Sequence, residues 1–284
     1  MSLANKIDFA VVFSVKKANP NGDPLNGNRP RVDYDGYGEV SDVCLKRKLR
    51  NRLQSLGQAI FVQSDENRKD EHRSLKDRFD KNDRIKAAKG DRQKQAHIAC
   101  ETWYDVRAFG QVFAFGKTDD ENSVSIGIRG PVTIQNAVSI EPVDVSSMQI
   151  TKSVNLETGK DPDKKGSDTM GMKHRVDFGV YVTYGSINCQ LAEITGFSEN
   201  DGKILLETLK TMFMDDVSSA RPDGSMEVLK VIWWKHNNKS GQYSSAKVHR
   251  SLVVQKSPDS SLLEDYEIKI NRLEGLHVEE YEGL

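Results

Sequence analysis

Five cations crowd into seven residues at Lys46-Arg47-Lys48-Leu49-Arg50-Asn51-Arg52, with no acid among them. Such a run repels itself, and phosphate oxygens relieve the repulsion by pairing with the side chains and releasing counterions. An ordinary solvated helix face explains the run equally well when it is taken alone. Just upstream lies Asn19-Pro-Asn-Gly-Asp-Pro24, followed by Arg29 and Arg31. The amides of Asn19 and Asn21 and the exposed glycine N–H groups can hold phosphate or sugar oxygens, and arginine can grip a phosphate with two hydrogen bonds. Asn-Gly and Asp-Pro are also plain turn formers. What favours the binding reading is that the loop feeds directly into the cationic run.

Three carboxylates, Asp23, Asp33 and Asp35, share that loop. Clustered carboxylates near a phosphate path can hold Mg²⁺ for phosphoryl chemistry. No matching Glu/His set accompanies them, so a polar loop is the better reading and a metal-dependent endoribonuclease the alternative. Further along, Met148 to Met172 is followed by Lys173, His174 and Arg175. Methionine is a flexible apolar side chain able to wedge against bases. Judged alone, Met148, Met170 and Met172 are expected in the core.

Other chemistries leave no trace. The six histidines show no HxxxH or HxH spacing, and Cys44, Cys100 and Cys189 form no CxxC pair. Neither a metal nor a cofactor is expected, and a disulfide framework is not indicated. The thiols make a reducing cytoplasm the default compartment. No Walker loop, GxSxG or dinucleotide fingerprint is present. No apolar run approaches the roughly 20 residues a membrane-spanning helix needs, and the N-terminus reads as a first strand rather than a signal peptide.

The elements that position these residues can be read from periodicity. IDFAVVFSV (7–15) is a buried strand. A long structured loop follows, and Ser41 caps a helix in which Leu45, Leu49, Leu53 and Leu56 form the buried stripe, the cations its exposed faces, and Gly57 the end. Residues 64–95 hold 11 bases and 8 acids with only Leu75, Phe79 and Ile85 as an apolar seam, which suggests a helical insertion. Residues 103–143 read as strands, with Gly110, Gly116, Gly127 and Gly130 marking bends or close backbone approaches. Residues 144–172 read as a protruding hairpin and 174–194 as strand. Ser198 caps a second helix through about Met214, and 226–235 is the last core strand. Two helices separated by strand pairs give an α+β sandwich, most simply a ferredoxin-like βαββαβ core with insertions.

Charge is unevenly spread. The last 28 residues hold eight acids and two bases, which leaves the remainder at +5 against a whole-chain net of −1. A solvated C-terminal segment is the simplest account of the acids.

Taken in order, the NPNGDP loop, the serine-capped helix with LKRKLR, the DVRAFG segment, the GPVTIQ strand and the MGMKHRVDFGVY block resemble the backbone subunit of type I CRISPR Cascade complexes, most closely the type I-C version. The resemblance covers nearly the whole chain. It implies an RNA-recognition-like (ferredoxin-like) palm over residues 1–60 and 103–284, a helical finger insertion at 61–102 and a thumb hairpin at 144–172. It further implies a non-catalytic subunit that multimerises along CRISPR guide RNA, with base pairing between guide and target DNA strand reading the sequence. Other copies of itself, other Cascade subunits and a recruited helicase-nuclease are the implied partners. Carried over by position, guide-phosphate contacts fall on Ser41, Lys46, Arg47 and Arg50, the loop approach on Arg29 and Arg31, and the wedge on Met148, Met170 and Met172 beside Lys173. Val43 stands where relatives often carry a polar residue.

Overall fold

The computed structural model describes residues 2–115, 124–151, 170–257 and 265–284. Its organising element is strand β1 (Ile7–Ala18), in which residues 7–15 are buried without a break. An unbroken buried run, instead of alternation, marks a strand covered on both faces. The loop beyond it carries a short strand pair, β2 (Gly22–Asp23) and β3 (Arg29–Pro30), and ends in β4 (Tyr37–Val40). Ser41 then caps α1 (Asp42–Ser55) as expected, its Oγ accepting the Cys44 N–H. Leu45, Leu49 and Leu53 are buried, whereas Leu56 is the helix C-cap and lies exposed.

The insertion contains α2 (Leu75–Asp80), α3 (Asp83–Ala87) and α4 (Arg92–Thr102). Its apolar seam is more than three residues wide. Phe79 and Ile85 join Phe61, Trp103, Phe113 and Ile126 in a separate core, with the Phe61 and Trp103 ring centroids 4.7 Å apart. Residues expected to be strand from 103 onward instead form α5 (Tyr104–Phe109) before β5 (Gly110–Phe115) pairs with β6 (Val124–Arg129). The reason is tertiary. The buried Asp105 carboxylate accepts the N–H groups of Phe61 at 2.7 Å and Val62 at 3.1 Å, an anchor that overrides the local β preference of Tyr, Val and Phe. Gly110 and Gly130 do mark a close approach, since a Cβ on Gly130 would lie 2.3 Å from the Ala108 carbonyl oxygen.

Four strands follow: β7 (Val132–Ile134), β8 (Ala137–Pro142), β9 (Val145–Thr151) and β10 (Met170–Ile187). The chain leaves β10 earlier than expected. Asn188 accepts the Leu191 N–H at 2.9 Å and opens α6 (Cys189–Thr195), so 188–194 is not strand. Next come α7 (Glu199–Lys210), held by a reciprocal Ser198–Asp201 capping box, then β11 (Met226–Lys235), α8 (Ser245–His249), β12 (Leu252–Lys256), β13 (Tyr266–Ile270) and β14 (His277–Glu282).

The result is an α+β architecture around a central antiparallel sheet in the order β14-β11-β1-β10-β8-β4, with β7 and β9 also on β10. On one face Phe9, Val11 and Phe13 meet Leu45, Leu49 and Leu53 of α1 and Leu205 and Leu209 of α7. On the other, Ala10, Val12, Val182 and Trp234 meet Val248 of α8 and Leu252 of β12. Opposite Phe9 on β10 stands Gly185, where any Cβ would collide with the Phe9 ring at 2.2 Å. The acidic C-terminal segment is not simply solvated: β14 closes one sheet edge, with Glu279 paired to Lys235 at 2.8 Å and Glu280 to Lys230 at 3.2 Å. Charged side chains on an edge strand discourage unwanted pairing. No helix among the described residues is long and apolar enough to cross a membrane.

Candidate nucleic-acid interface

The cationic run on α1 is not the bare charged face its sequence suggests. Lys46 pairs with Asp42 at 2.9 Å, one turn earlier. Lys48 is only 3% exposed and is bound to Asp216, which also holds Arg221 at 2.7 Å. Arg50 donates Nε to Asp105 at 2.9 Å, and Arg52 reaches Asp215 at 2.7 Å and Thr211 at 2.8 Å. Among the described residues Arg47 alone of the five has no carboxylate partner; its Nη1 donates to the Val62 carbonyl at 2.8 Å. Burial and the neighbouring Arg50 charge hold the Arg47 guanidinium below its ordinary pKa, the condition an anion would relieve. Arg50 uses Nε alone toward Asp105, so its terminal N–H groups have no hydrogen-bond partner among the described residues.

The loop and the helix start are one bonded unit. Asn21 Oδ1 accepts both the Ser41 N–H and the Ser41 hydroxyl at 2.9 Å, and the Asp42 N–H goes to Asn136 at 2.9 Å. Asn19 is buried and donates to the Asn28 carbonyl at 2.7 Å, while its Oδ1 has no partner. Arg31 pairs with Asp23 at 3.3 Å, and Asp23 also accepts the Leu25 N–H. Asp33 Oδ1 accepts the N–H groups of Asp35 and Tyr37, at 3.0 and 2.8 Å. Asp23 and Asp33 are thus committed to turns, and no group of three or more potential ligands able to hold a metal exists among the described residues. Burial raises the nearby Cys44 thiol, which keeps it protonated and a poor nucleophile.

The arm begins where β9 and β10 run on beyond the sheet as a two-stranded hairpin. Residues 152–169 of the expected hairpin lie outside the described residues. Met170 faces Thr151, Met172 faces Gln149 and His174 faces Ser147, so these share one face; Met148 with Lys173 and Ile150 with Gly171 share the other. The methionines are not in the core: Met170 is 65% exposed, Met172 57% and Met148 38%. Two strands standing clear of the sheet have no second layer to bury them.

Arg29 joins loop and arm. Its Nη1 donates to Ser147 Oγ at 2.8 Å and lies 3.4 Å from His174 Nδ1. A guanidinium cannot accept, so Ser147 Oγ is the acceptor from Arg29, and the same oxygen is hydrogen-bonded to His174 Nδ1, 2.8 Å away. The structure therefore brings together Asn21, Ser41, Arg29 and, through Ser147 and His174, the arm bearing Met170 and Met172. Sequence reasoning did not single out Ser147, Gln149 or exposed Ile150. Their strand neighbours on β10 are visible only in the register.

Three comparisons bear on identity. The family model described as CRISPR-associated protein Cas7 matches residues 5–271. CRISPR-associated protein Cas7 of Haloferax volcanii is 30% identical over 220 residues, a match covering 71% of this chain. It spans 62% of that relative's own length. Among solved structures, a chain of a CRISPR RNA-guided surveillance complex in a pre-nicking form aligns with a TM-score of 0.45 at 13% identity, over 81% of this chain and 78% of that one. A chain of another CRISPR RNA-guided surveillance complex aligns with a TM-score of 0.46 at 16% identity, over 81% and 69%.

Proposed function

The chain belongs to the Cas7 family of CRISPR-associated proteins, and on that premise we propose that it is the non-catalytic backbone subunit of a type I Cascade complex, binding CRISPR guide RNA and multimerising along it. The observation that carries the reading is the Arg29–Ser147–His174 link. It ties the loop that carries Arg29 to the arm, whose exposed Met170 and Met172 share a face with His174, and this junction is where the reading lays a strand of RNA. Guide-phosphate contacts are proposed for Arg29, Arg31, Lys46, Arg47, Arg50 and Lys173, positioning roles for Asn19, Asn21 and Ser41, and base contacts for Met148, Met170 and Met172. Protein then holds the guide backbone while pairing with target DNA reads sequence.

In this reading the palm is a ferredoxin-like unit. Its support is the order β11-β1-β10-β8 with α1 and α7 on one face, which is fourth-first-third-second for a βαββαβ chain. An open RNA-recognition sheet stacks bases on the face opposite its helices. Here α8 and β12 cover that face, so the RNA path proposed runs over loop, helix start and arm. The finger comprises the insertion with β5–β6, which share its core, and the thumb is the β9–β10 arm. Other copies, other Cascade subunits, a recruited helicase-nuclease and a cytoplasmic setting complete the proposal.

A salt series of fluorescence-anisotropy titrations on unstructured single-stranded RNA tests it. Arg29→Ala with Arg47→Ala, neither of which has a carboxylate partner among the described residues, is expected to lower affinity and reduce the slope of log K against log salt by about 1.4, at about 0.7 per lost phosphate contact. Unchanged affinity and slope would remove this surface from the RNA path. RNA that shortens during incubation with Mg²⁺ would instead support the endoribonuclease alternative.

A further inference from the structure

Tyr34 and Leu25 are the two most exposed large apolar side chains among the described residues. Tyr34 sits on a turn bonded from every side. Asp33 Oδ1 takes two N–H groups of the turn, the Asp33 N–H donates to the Tyr37 carbonyl at 2.9 Å, and the Val143 N–H donates to the Gly36 carbonyl at 2.9 Å. Gly36, at φ +85°, supplies the left-handed corner. A ring held wholly in water on such a turn loses little freedom on docking, the property of an interface anchor. Nucleic acid is a poor match for it, because the flanking Asp33 and Asp35 carboxylates repel phosphate.

A matching socket exists elsewhere on the molecule. A groove of about 620 Å³ between α4, β6 and α6 is lined by Ala96, Ile128, Leu191 and Ile194, with His97 and Arg129, and no carboxylate lines it. Ile194 is 73% exposed, and Arg129 is exposed as well. Nearby Glu101 is tied to Arg84 and His97, and Glu193 to Lys239. Apolar knob and apolar socket are thus complementary in charge: acids flank one, an arginine lines the other.

The two cannot meet within one molecule. The Tyr34 turn is fixed to Val143, which packs on Gly179 of β10, whereas the socket lies beyond Ile187, where β10 passes into α6. Eight residues of strand separate these points, roughly 26 Å at about 3.3 Å per residue. We propose that Tyr34, with Asp35 beside it, inserts into the α4–β6–α6 groove of the next copy of this chain. A knob and socket on different surfaces make a heterologous contact, which propagates as an open filament unless it closes into a ring. This rests on the multimerising reading above and names the surfaces that join.

The test places the photocrosslinker p-benzoylphenylalanine at position 34 and irradiates concentrated protein, with and without unstructured single-stranded RNA. Crosslinks from one copy to residues 93–100, 127–129 or 191–195 of another are expected in both conditions. Ile194→Glu, at an exposed site, should cut their yield about tenfold, equal to about 1.4 kcal/mol. Asp35→Arg should cut it too, and Arg129→Asp in the same chain should restore it. Crosslinks only to other segments, only to RNA, or none between copies would overturn the socket. Binding of the same protein to an RNA long enough for a single copy reports separately on the RNA reading: failure there sinks the proposed function, while the protein-only crosslinks still decide the contact.

Discussion

The α1 cations and the β9–β10 arm are opposites. The helix carries the densest positive charge in the sequence, yet its lysines and arginines are spent on Asp42, Asp216, Asp105 and Asp215 and on the Val62 carbonyl. The arm offers exposed methionines instead. A dense run of cations within a folded body is first a means of joining elements: Arg47 ties α1 to the start of the insertion, Arg50 ties it to α5, and Lys48 and Arg52 tie it to the turn after α7. What remains for a ligand is the surplus: the N–H groups Arg47 keeps beyond its bond to Val62, the terminal N–H groups of Arg50 and the open faces of the arm.

That contrast breaks first under mutation of its structural side. Asp105→Ala removes the acceptor of two buried N–H groups and the partner of Arg50, and is expected to cost about 3–5 kcal/mol in urea unfolding. Met170→Ala with Met172→Ala should shift the same transition by no more than about 0.5 kcal/mol, since nothing buries them. A large loss from the methionine pair would mean that the arm packs on something and is not a free surface.

On the binding side the order reverses. Met170→Glu with Met172→Glu is expected to weaken RNA binding about tenfold or more in anisotropy titrations while leaving the fold intact, because it puts carboxylates where bases would lie. A smaller effect sharpens the charge comparison. Arg29→Ala should lower the salt slope by about 0.7, and Arg52→Ala, whose charge is matched by Asp215, should leave it unchanged. Equal slopes for the two variants would erase the distinction between spent and available cations.

The smallest effect concerns acid stability at the far end of β1. Burial alone would raise the Asp8 carboxyl, but hydrogen bonds from His236, at 2.8 Å, and Ser245, with the Lys6 ammonium nearby, outweigh it and hold the group below its ordinary value of 3.8. A depressed carboxyl contributes stability that is present above that value and lost as pH falls through the folded one. Thermal midpoints should therefore drop more steeply below about pH 4 in the wild type than in Asp8→Asn. Parallel curves would show that this group does not couple.

How much of this was legible depended on range. The Ser41 cap, the Ser198 cap and the buried β1 run are local patterns, and the structure repeats them, although the helix after Ser198 stops at Lys210, short of Met214. The partners of the α1 cations were not legible, because Asp105, Asp215 and Asp216 lie 55 to 168 positions away from them in sequence. Nor was α5, whose helical turn is held by Asp105 reaching back to Phe61, or β14, whose acids find lysines only across the β11 pairing. Of the candidate interface, loop and helix could be joined from adjacency. The arm could not, since Arg29 meets Ser147 across 118 residues.

The central claim is that this chain is an RNA-templated scaffold. The most direct measurement is size-exclusion chromatography of purified protein with its 260/280 nm absorbance ratio, before and after RNase and again after adding a CRISPR guide RNA. Large nucleic-acid-bearing particles that collapse with RNase, or that form when the guide is added, are the expected result. A protein that stays small and free of RNA in all three conditions would contradict the account.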